Sequence, residues 1–405
     1  MIALKENHEN LFRPINAALI VLAAGLSERM GVFKPLLPVG GQSAVERCIG
    51  IAKAAGIPRI IVVTGHKRTE IESVLDADAL NITLVHNSGY MDGMFSSVHA
   101  SVSALPDGLD GFFLLPSDSC AISPGTLIIL MKHFAEKERT HVTRPKYKGR
   151  RGHPPLIPAG FIKPLLNYSG ENGLKGFLSP LPTLEIEMDS VGALLDMDTP
   201  DDYAQMLSYL GIPTYPSSAQ CVELLAMRGT PQDIIKHGEH VADVALKIAR
   251  LMRIRGAEVD IELLESACLL HDICRMEDDH AQSGMNLLLR EGYPKAAIIV
   301  GRHMDIRRFS LDYSHQFSSA ATELGAPGAA RPTASLLGEA ELLYLADKLC
   351  RRGKLVSLED AMNAMEMRFR DNPEALGAAR ERINMAQEIL YALKSQYDIS
   401  FNDLN

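Results

Sequence analysis

The strongest constraint on the fold is a change in hydrophobic periodicity near the middle of the chain. From Ala17 to about Gly211, short apolar runs such as ALIVLAAG, RIIVVTG and GFFLLPSD alternate with helix-like segments. Beyond GIPTYPSSAQ, from Cys221 onward, nearly every apolar pattern has the period of a helix. The first pattern is typical of a mostly parallel sheet covered by helices, and the second indicates an all-α unit. The sequence therefore predicts an α/β doubly wound domain over residues 15–211 and an all-α domain over 220–400.

Composition and charge exclude several classes of function. No apolar run approaches the roughly 20 residues that a membrane span needs, and the N-terminus lacks the pattern of a signal peptide. The net charge is −9, and both halves are acidic, which argues against binding to nucleic acid. The six cysteines form no CxxC pair and are predicted to be reduced thiols. We expect a cytoplasmic protein that binds neither membranes nor nucleic acids.

A loop with small residues follows the first predicted strand. It begins LAAGLSERMGVFKPLL, and its residues Leu22, Ala23, Ala24 and Gly25 would let backbone N–H groups approach an anion closely. The pattern is neither GxGxxG nor the P-loop GxxxxGK[ST]. Arg29 and Lys34 follow closely enough to lie over a triphosphate held by the loop. The alternative is an ordinary glycine-containing turn with solvated charges.

Several motifs in order strengthen the first interpretation. They are the loop itself, VVTGH (62–66), HNSGYMDGMFSSV (86–98), LLPSDSCAIS (114–123), RPKYKGRRGHP (144–154) and LLDMDTPDDY (194–203). Together they resemble the molybdenum-cofactor nucleotidyltransferases, and the pairing of LAAG with KxLLP is closer to the cytidylyltransferase branch. The resemblance implies a nucleoside triphosphate substrate, CTP in that branch, and a small phosphorylated acceptor, molybdopterin or a related compound. It also implies contact with a molybdoenzyme or its maturation proteins.

The resemblance assigns acidic residues to a metal site. Asp118 is implied to hold Mg²⁺ on the nucleotide phosphates, with Asp198 favoured over Asp196 as the second ligand. Either of the latter two could instead cap the helix that begins TPDDY. The chain reads PSDSC where the family usually has GDxP, so the substrate pocket after Asp118 is expected to differ.

Other positions keep two interpretations each. The resemblance implies that Asn87, Ser96 and Ser97 contact the base or ribose of the nucleotide. A loop or helix-capping role is equally consistent with the sequence. RRGHP can contact the acceptor phosphate or form a solvated basic loop.

The predicted reaction needs no strong general base. An acceptor phosphate attacks the α-phosphorus of the nucleotide and pyrophosphate leaves. A phosphate monoester with a second pKa near ~6 is already largely ionised at neutral pH. Positioning and charge neutralisation by Arg29, Lys34 and the ion on Asp118 would supply most of the acceleration.

The second half contains histidines on predicted helices. In IIKHGEHVADVALKIARLM, His237 shares the apolar face, whereas the orientation of His240 is ambiguous. In SACLLHDICRM, the sequence predicts a core helix that carries the adjacent pair His271 and Asp272. His315 is predicted to be a surface residue.

These helices carry a second resemblance. H-x3-VA-x2-A-x2-IA, then LLHDI, then ADK, resembles the HD-domain metal-dependent phosphohydrolases over about residues 230–360. The resemblance implies a divalent metal held by the residues His237, His271, Asp272 and Asp347. His280 and His303 are implied to bind a second ion. Mixed imidazole and carboxylate ligands suit Mn²⁺, Fe or Zn²⁺. Arg275 either receives a phosphate oxygen or is a solvated helix residue.

The sequence thus predicts a bifunctional enzyme, a nucleotidyltransferase joined to an HD phosphohydrolase. One alternative exchanges the acceptor for a sugar or alcohol phosphate. Another makes the helical half a regulatory module that senses a nucleotide without hydrolysing it.

Overall fold

The chain is described by a computed structural model that covers residues 13–306 and 337–404. It divides into two compact units, Met1–Ile212 and Pro213–Asn405. His315 and the segment GAPGAARPTAS lie outside the described residues.

The first unit is built on one eight-stranded sheet. Its strands are β1 (Ala17–Ala23), β2 (Arg59–Thr64), β3 (Thr83–His86), β4 (Gly111–Pro116), β5 (Val142–Tyr147), β6 (Arg150–Arg151), β7 (Leu156–Pro158) and β8 (Thr183–Glu187). Their order across the sheet is β3-β2-β1-β4-β7-β5-β6, with β8 also paired to β5.

The two parts of this sheet differ in strand direction. β1 runs parallel to both β2 and β4, and β2 runs parallel to β3. β7 is antiparallel to both β4 and β5, while β8 is parallel to β5. The prediction of an α/β fold is confirmed, and the sheet is mixed because the short β7 returns between β4 and β5. β1 is almost entirely buried, as expected for a central parallel strand.

Helices connect these strands, and several of them begin with side-chain caps that the sequence encodes. They are α1 (Ala44–Ala54), α2 (Arg68–Val74), α3 (Ala77–Leu80), α4 (Met94–Val102), α5 (Pro124–Glu136), α6 (Ile162–Leu166), α7 (Gly173–Leu178) and α8 (Pro200–Tyr209). α1 starts with a capping box formed by Ser43 and Glu46. In α8 the cap is Thr199, paired with Asp202, so neither Asp196 nor Asp198 caps this helix.

The second unit is helical, in agreement with the prediction. Its helices are α9 (Ser218–Arg228), α10 (Gln232–Ile254), α11 (Ile261–Leu270), α12 (His280–Arg290), α13 (Pro294–Arg302), α14 (Glu339–Leu349), α15 (Leu358–Arg368) and α16 (Pro373–Tyr397). A small antiparallel hairpin of β9 (Cys350–Arg351) and β10 (Lys354–Leu355) follows α14. Within the described ranges, no helix is both long and apolar enough to cross a membrane.

The predicted core helix ends earlier than the sequence suggested. α11 stops at Leu270, and His271 is its C-terminal cap. Beyond it, the backbone bonds join residues three apart, with Ile273 N–H donating to Leu270 and Arg275 N–H donating to Asp272. The prediction that His271 and Asp272 lie inside a helix is therefore wrong. The pair lies in the tight turns after the helix, which lets both side chains face the same group of residues.

Candidate active and metal sites

A cavity of about 400 Å³ opens beside the carboxyl ends of β1 and β4. Ligands of open α/β sheets bind at this edge. The residues predicted from the loop and its neighbours that line the cavity are Leu22, Ala23, Ala24, Gly25, Arg29, Lys34, Ser97, Asp118 and Asp198. The structure thus brings together side chains from five separate segments of the first unit.

Close packing fixes the loop that follows β1. Gly65 lies against it, and an added Cβ there would be 2.9 Å from Ala24 O and 2.7 Å from Tyr90 Cβ. His66 N–H also donates to Ala24 O at 3.2 Å. The absence of a side chain at position 65 therefore allows the loop to approach the end of β2.

Asp118 and Asp198 converge on one cation. Lys34 Nζ donates to Asp118 Oδ2 at 2.6 Å and to Asp198 Oδ1 at 2.8 Å. The other oxygen of Asp198 pairs with Arg29 Nη2 at 2.8 Å. Two carboxylates that meet at a single ammonium form a site of the kind that a divalent cation would also suit.

The charges of this group reinforce each other. Burial lowers the pKa of Lys34, but Asp118 and Asp198 outweigh it, and the pKa is raised. Burial likewise opposes ionisation of Asp198, but Lys34 and Arg29 lower its pKa overall. Burial and the nearby charge of Asp198 raise the pKa of Asp196 to about 6. Asp198 is thus held as an anion by two cations, while Asp196 has no such pairing.

Asn87 is linked to the cavity by hydrogen bonds to neighbouring serines. Its Nδ2 donates to Ser96 Oγ at 2.8 Å and to Ser97 Oγ at 3.0 Å, and its Oδ1 accepts from Gly89 N–H at 3.0 Å. Helix α4 has Gly93 as its N-cap, without a side-chain cap. Of the three predicted contacts, Ser97 lines the cavity, whereas Asn87 and Ser96 form hydrogen bonds with the loop that precedes α4.

In the second unit, four predicted ligands come from three separate segments. His237 lies on α10, His271 and Asp272 follow α11, and Asp347 lies on α14. His237 Nε2 is 3.1 Å from Asp347 Oδ1, and His271 Nε2 is 3.7 Å from the same oxygen. His271 Nε2 is also 3.6 Å from Asp272 Oδ2.

A second group shares one of these carboxylates. Asp272 Oδ1 is 3.4 Å from His280 Nε2 and 3.6 Å from His303 Nε2. The two imidazole nitrogens are 3.3 Å apart. The ligand atoms of His237, His271 and Asp272 all lie within 4.8 Å of one another, as do those of Asp272, His280 and His303, so Asp272 belongs to two candidate metal positions.

Unpartnered atoms within these groups fit metal ions. His271 Nε2 and Asp272 Oδ1 are buried and have no hydrogen-bond partner among the described residues. The Nδ1 atoms of His271 and His303 face the carbonyls of Cys268 and Val300, at 2.7 and 2.6 Å. Each Nδ1–H therefore donates to a carbonyl, which leaves a lone pair on Nε2 facing the group. Buried atoms of this kind are costly without a partner, and a metal ion would satisfy them.

The two family comparisons agree with this geometry. The sequence pattern of the MobA-like NTP transferase domain matches residues 19–186, and that of the HD domain matches residues 234–352. The chain carries a MobA-like NTP transferase domain and an HD domain. Both resemblances predicted from the motifs are confirmed, as is the prediction of an enzyme from a nucleotidyltransferase family.

Individual proteins are similar to part of the chain. A molybdenum cofactor cytidylyltransferase of Escherichia coli is 29% identical over 184 residues, which cover 45% of this chain and 92% of that protein. A 2-aminoethylphosphonate cytidylyltransferase of Lancefieldella rimae is 34% identical over 95 residues, 22% of this chain and 38% of that protein. A solved nucleotidyl transferase from Methanothermobacter thermautotroptrophicus has a TM-score of 0.42 and 23% identity, covering 48% of this chain and 97% of that one.

Protonation states in the HD domain mostly suit metal binding. Burial raises the pKa of Asp347, but Lys348 and the adjacent histidines outweigh it, and the pKa lies well below its usual value. The pKa of Asp272 is also lowered, because His303 and His271 overcome the effect of burial. Burial and the adjacent His303 lower the pKa of His280 to about 4.

His271 is the exception. Burial lowers its pKa, but the two carboxylates Asp347 and Asp272 raise it overall. Because metal binding displaces protons from its ligands, a cation would replace the proton that these carboxylates attract.

One buried residue of the HD domain was missed by sequence reasoning. Lys348 Nζ is 2.5 Å from Asp347 Oδ2 and 3.4 Å from His303 O, and it lies over the ring of Tyr344 at 4.7 Å. Its position inside the apolar run LYLADKLC was the available signal, since a lysine there must either leave the core or find a partner.

Two other predicted positions are not among the candidate metal ligands. His240 is exposed, and its Nδ1 is 2.6 Å from Lys236 O. Arg275 is 3.6 Å from Asp272 Oδ1 and 2.9 Å from His280 Nε2, so it borders the second group. The orientation of His240, left open by periodicity, is therefore away from the ligands.

Proposed function

We propose that this chain is a bifunctional enzyme of nucleotide and phosphate chemistry. Residues 15–211 would transfer a nucleotidyl group from a nucleoside triphosphate, CTP in the first place, to molybdopterin or a related phosphate, with release of pyrophosphate. Residues 220–400 would form a metal-dependent phosphohydrolase. The domain matches and the two groups of converging ligands support this proposal.

The transferase proposal rests on the convergence of Asp118 and Asp198 at the mouth of the loop cavity. Their oxygens would hold Mg²⁺, a hard cation that prefers carboxylate ligands. When bound, the ion supplies charge neutralisation on the triphosphate. Lys34 would then turn from the carboxylates to the phosphates, and Arg29, whose side chain is 70% exposed, can follow.

Residues of the chain would supply the remaining functions of the transferase site. Backbone N–H groups from Ala23 to Gly25 would hold phosphate oxygens, and Ser97 would contact the nucleoside. Lys34 and Arg29 would balance the charge that develops on the leaving pyrophosphate.

The hydrolase proposal rests on Asp272, which belongs to both ligand groups of the HD domain. His237, His271 and Asp347 would complete one metal site, and His280 and His303 the other. Mn²⁺, Fe or Zn²⁺ fits this donor set. When bound, two such ions supply Lewis acidity to a phosphate ester.

Pyrophosphate release tests the transferase proposal. Protein would be incubated with Mg²⁺, molybdopterin and each of the four common nucleoside triphosphates in turn. We expect the highest rate with CTP and a loss of at least about 100-fold in Asp118→Ala, because removing a metal ligand removes transition-state stabilisation. Asp189→Ala removes an exposed carboxylate from the same domain and serves as the control. Equal rates in wild type and Asp118→Ala would contradict the proposal.

Metal content and phosphodiester cleavage test the hydrolase proposal. His237→Ala should lose bound metal and turnover of bis(p-nitrophenyl) phosphate. His240→Ala, a histidine on the same helix that faces away from the ligands, should retain both. If neither metal nor turnover is found with Mn²⁺, Fe²⁺ or Zn²⁺, the regulatory alternative is favoured instead.

A second acceptor class is supported by a relative. One similar protein is named a 2-aminoethylphosphonate cytidylyltransferase, so the same domain type serves acceptors other than molybdopterin. A panel of sugar and alcohol phosphates in the pyrophosphate assay would distinguish the two. Contact with a molybdoenzyme or its maturation proteins, and the cytoplasmic location, stay predictions.

A further inference from the structure

A cluster of cations occupies one face of the sheet at β5 and β8. Arg144 and Lys146 are two residues apart on β5, so their side chains share a face. Their register partners on β8 are Glu185 and Glu187, and Lys146 is also paired with Arg151 on β6. The cluster therefore gathers three cations around the carboxylate of Glu185.

The carboxylate of Glu185 forms ion pairs with two of these cations. Its Oε2 is 3.0 Å from Lys146 Nζ, and its Oε1 is 2.5 Å from Arg151 Nε. These contacts lower the pKa of Glu185 through the two hydrogen bonds, from Lys146 first and then from Arg151. Neither oxygen of Glu185 lies within ion-pair distance of Arg144.

Arg144 is the cation left without an anion. Among the described residues no carboxylate lies within ion-pair distance of it, although Glu185 is its register partner. Its Nε is buried without a hydrogen-bond partner, and Nη2 donates only to Gly152 O, at 3.4 Å. Burial and the nearby charge of Arg151 lower its pKa. A half-buried guanidinium in such surroundings is stabilised by an anionic ligand.

Arg144 lies on β5, which only β7 separates from β4, the strand that leads to Asp118. Phe113 on β4 pairs with Leu156 on β7, and these strands are antiparallel, so the segment with His153 that precedes β7 lies at the end of β4 that leads to Asp118. His153 N–H donates to Ala193 O at 2.8 Å, on the segment that leads to Asp198. Burial and the charge of Arg144 lower the pKa of His153, whereas the charge of Asp118 raises it.

The position of Arg144 relative to the cavity beside the loop matters for the transfer reaction. The loop of residues 23–25 follows β1, which flanks β4 on one side, whereas β7 and β5 lie on the other side. A ligand at Arg144 would therefore approach Asp118 from the side opposite the loop. An in-line displacement requires the attacking and leaving groups to lie on opposite sides of the phosphorus.

We propose that Arg144, with the adjacent His153 and Gly152 segment, binds the phosphate monoester of the acceptor. This assignment rests on the proposed transferase function for its role in turnover. The recognised chemistry is a dianionic phosphate, held by the guanidinium through its free N–H groups. Arg151 is not part of this site, because its charge is already balanced by Glu185.

Equilibrium binding of inorganic phosphate tests the assignment without turnover. The full chain would be saturated with Mg²⁺ and a non-hydrolysable CTP analogue, and phosphate binding would be measured by calorimetry. Arg144→Gln should weaken phosphate binding about 10- to 100-fold, as expected for loss of a charged hydrogen-bonding group. Arg144→Lys should fall between Arg144→Gln and wild type, since it keeps the charge but loses the fork. Arg151→Gln is the matched control and should stay within about twofold of wild type, as expected for loss of an exposed ion pair.

Three outcomes of this experiment would overturn the assignment. Unchanged phosphate affinity in Arg144→Gln, or no measurable phosphate binding to wild type, would overturn the assignment. A parallel loss of affinity for the CTP analogue would also overturn it, because the arginine would then serve the nucleotide. If Arg144→Gln fails to fold, as judged by thermal unfolding, Arg144→Lys provides the same comparison.

The experiments distinguish a failure of the proposed function from a failure of the Arg144 assignment. If phosphate binding depends on Arg144 but molybdopterin elicits no pyrophosphate, the phosphate site stands and the proposed acceptor is wrong. If pyrophosphate is released and Arg144→Gln leaves the KM for molybdopterin unchanged, the transferase proposal stands and the assignment of Arg144 is wrong.

Discussion

Replacement of Lys348 by methionine should destabilise the HD domain strongly when metal is removed. The side chains of Lys348 and Asp347 are 6% and 16% exposed, and their charged atoms are 2.5 Å apart. Breaking a buried pair by removal of one partner costs about 3–5 kcal/mol, because the other charge stays buried. In a domain of about 150–250 residues, each kcal/mol lowers Tm by about 2–4 °C. The expected loss is therefore roughly 6–20 °C.

A matched control exists in the same domain. Lys394 and Asp398 form an ion pair whose side chains are 57% and 80% exposed. Exposed pairs contribute little to stability, so Lys394→Met should lower Tm by no more than about 4 °C. The two variants remove the same charge from the same domain and differ in burial.

Calorimetric unfolding in EDTA and in Mn²⁺ is the assay. The loss in Lys348→Met should be smaller in Mn²⁺, since a bound cation would compensate the charge of Asp347. If both lysine variants lower Tm equally in EDTA, the argument from burial is refuted. If Mn²⁺ fails to reduce the loss, Asp347 does not share its charge with a metal.

Three further predictions concern packing, capping and thiols. Gly65→Ala should weaken binding of CTP, because the new Cβ would meet Ala24 O and cost about 1–3 kcal/mol of overpacking. Gly160→Ala is the control and should leave the CTP titration unchanged, since a Cβ at Gly160 would enter open space. Thr199→Ala should destabilise the transferase domain by about 1 kcal/mol in urea unfolding, and a loss below the error of the method would disprove its capping role. All six thiols are free and buried, and burial raises the pKa of Cys120 to about 12, so a disulfide-exchange reagent should react slowly with the native protein and fully in concentrated urea.

The pair His271 and Asp272 shows where sequence reasoning succeeded and where it failed. The motif correctly marked both residues as members of one polar group. The helix that was expected to carry them ends at Leu270, because periodicity reports an apolar face but not the turn that closes it. The hydrogen bond of His271 Nδ1 with Cys268 O directs its Nε2 toward the group.

By itself, the sequence determined the division into an α/β and a helical half, both domain families and the motifs that contain the candidate ligands. These features are local, since hydrophobic period, capping residues and ordered motifs are read along a short stretch of chain. The metal groups were predictable only as a set of candidates carried over from a resemblance.

Only the tertiary structure decided which candidates converge. His237 and Asp347 meet although 110 residues separate them, while His240, three residues from His237, faces away. The same dependence on packing left Arg144 without an ion-pair partner among the described residues, because its register partner Glu185 pairs with Lys146 and Arg151 instead. The direction of a side chain and the charges around it depend on segments far away in sequence, and no local pattern records them.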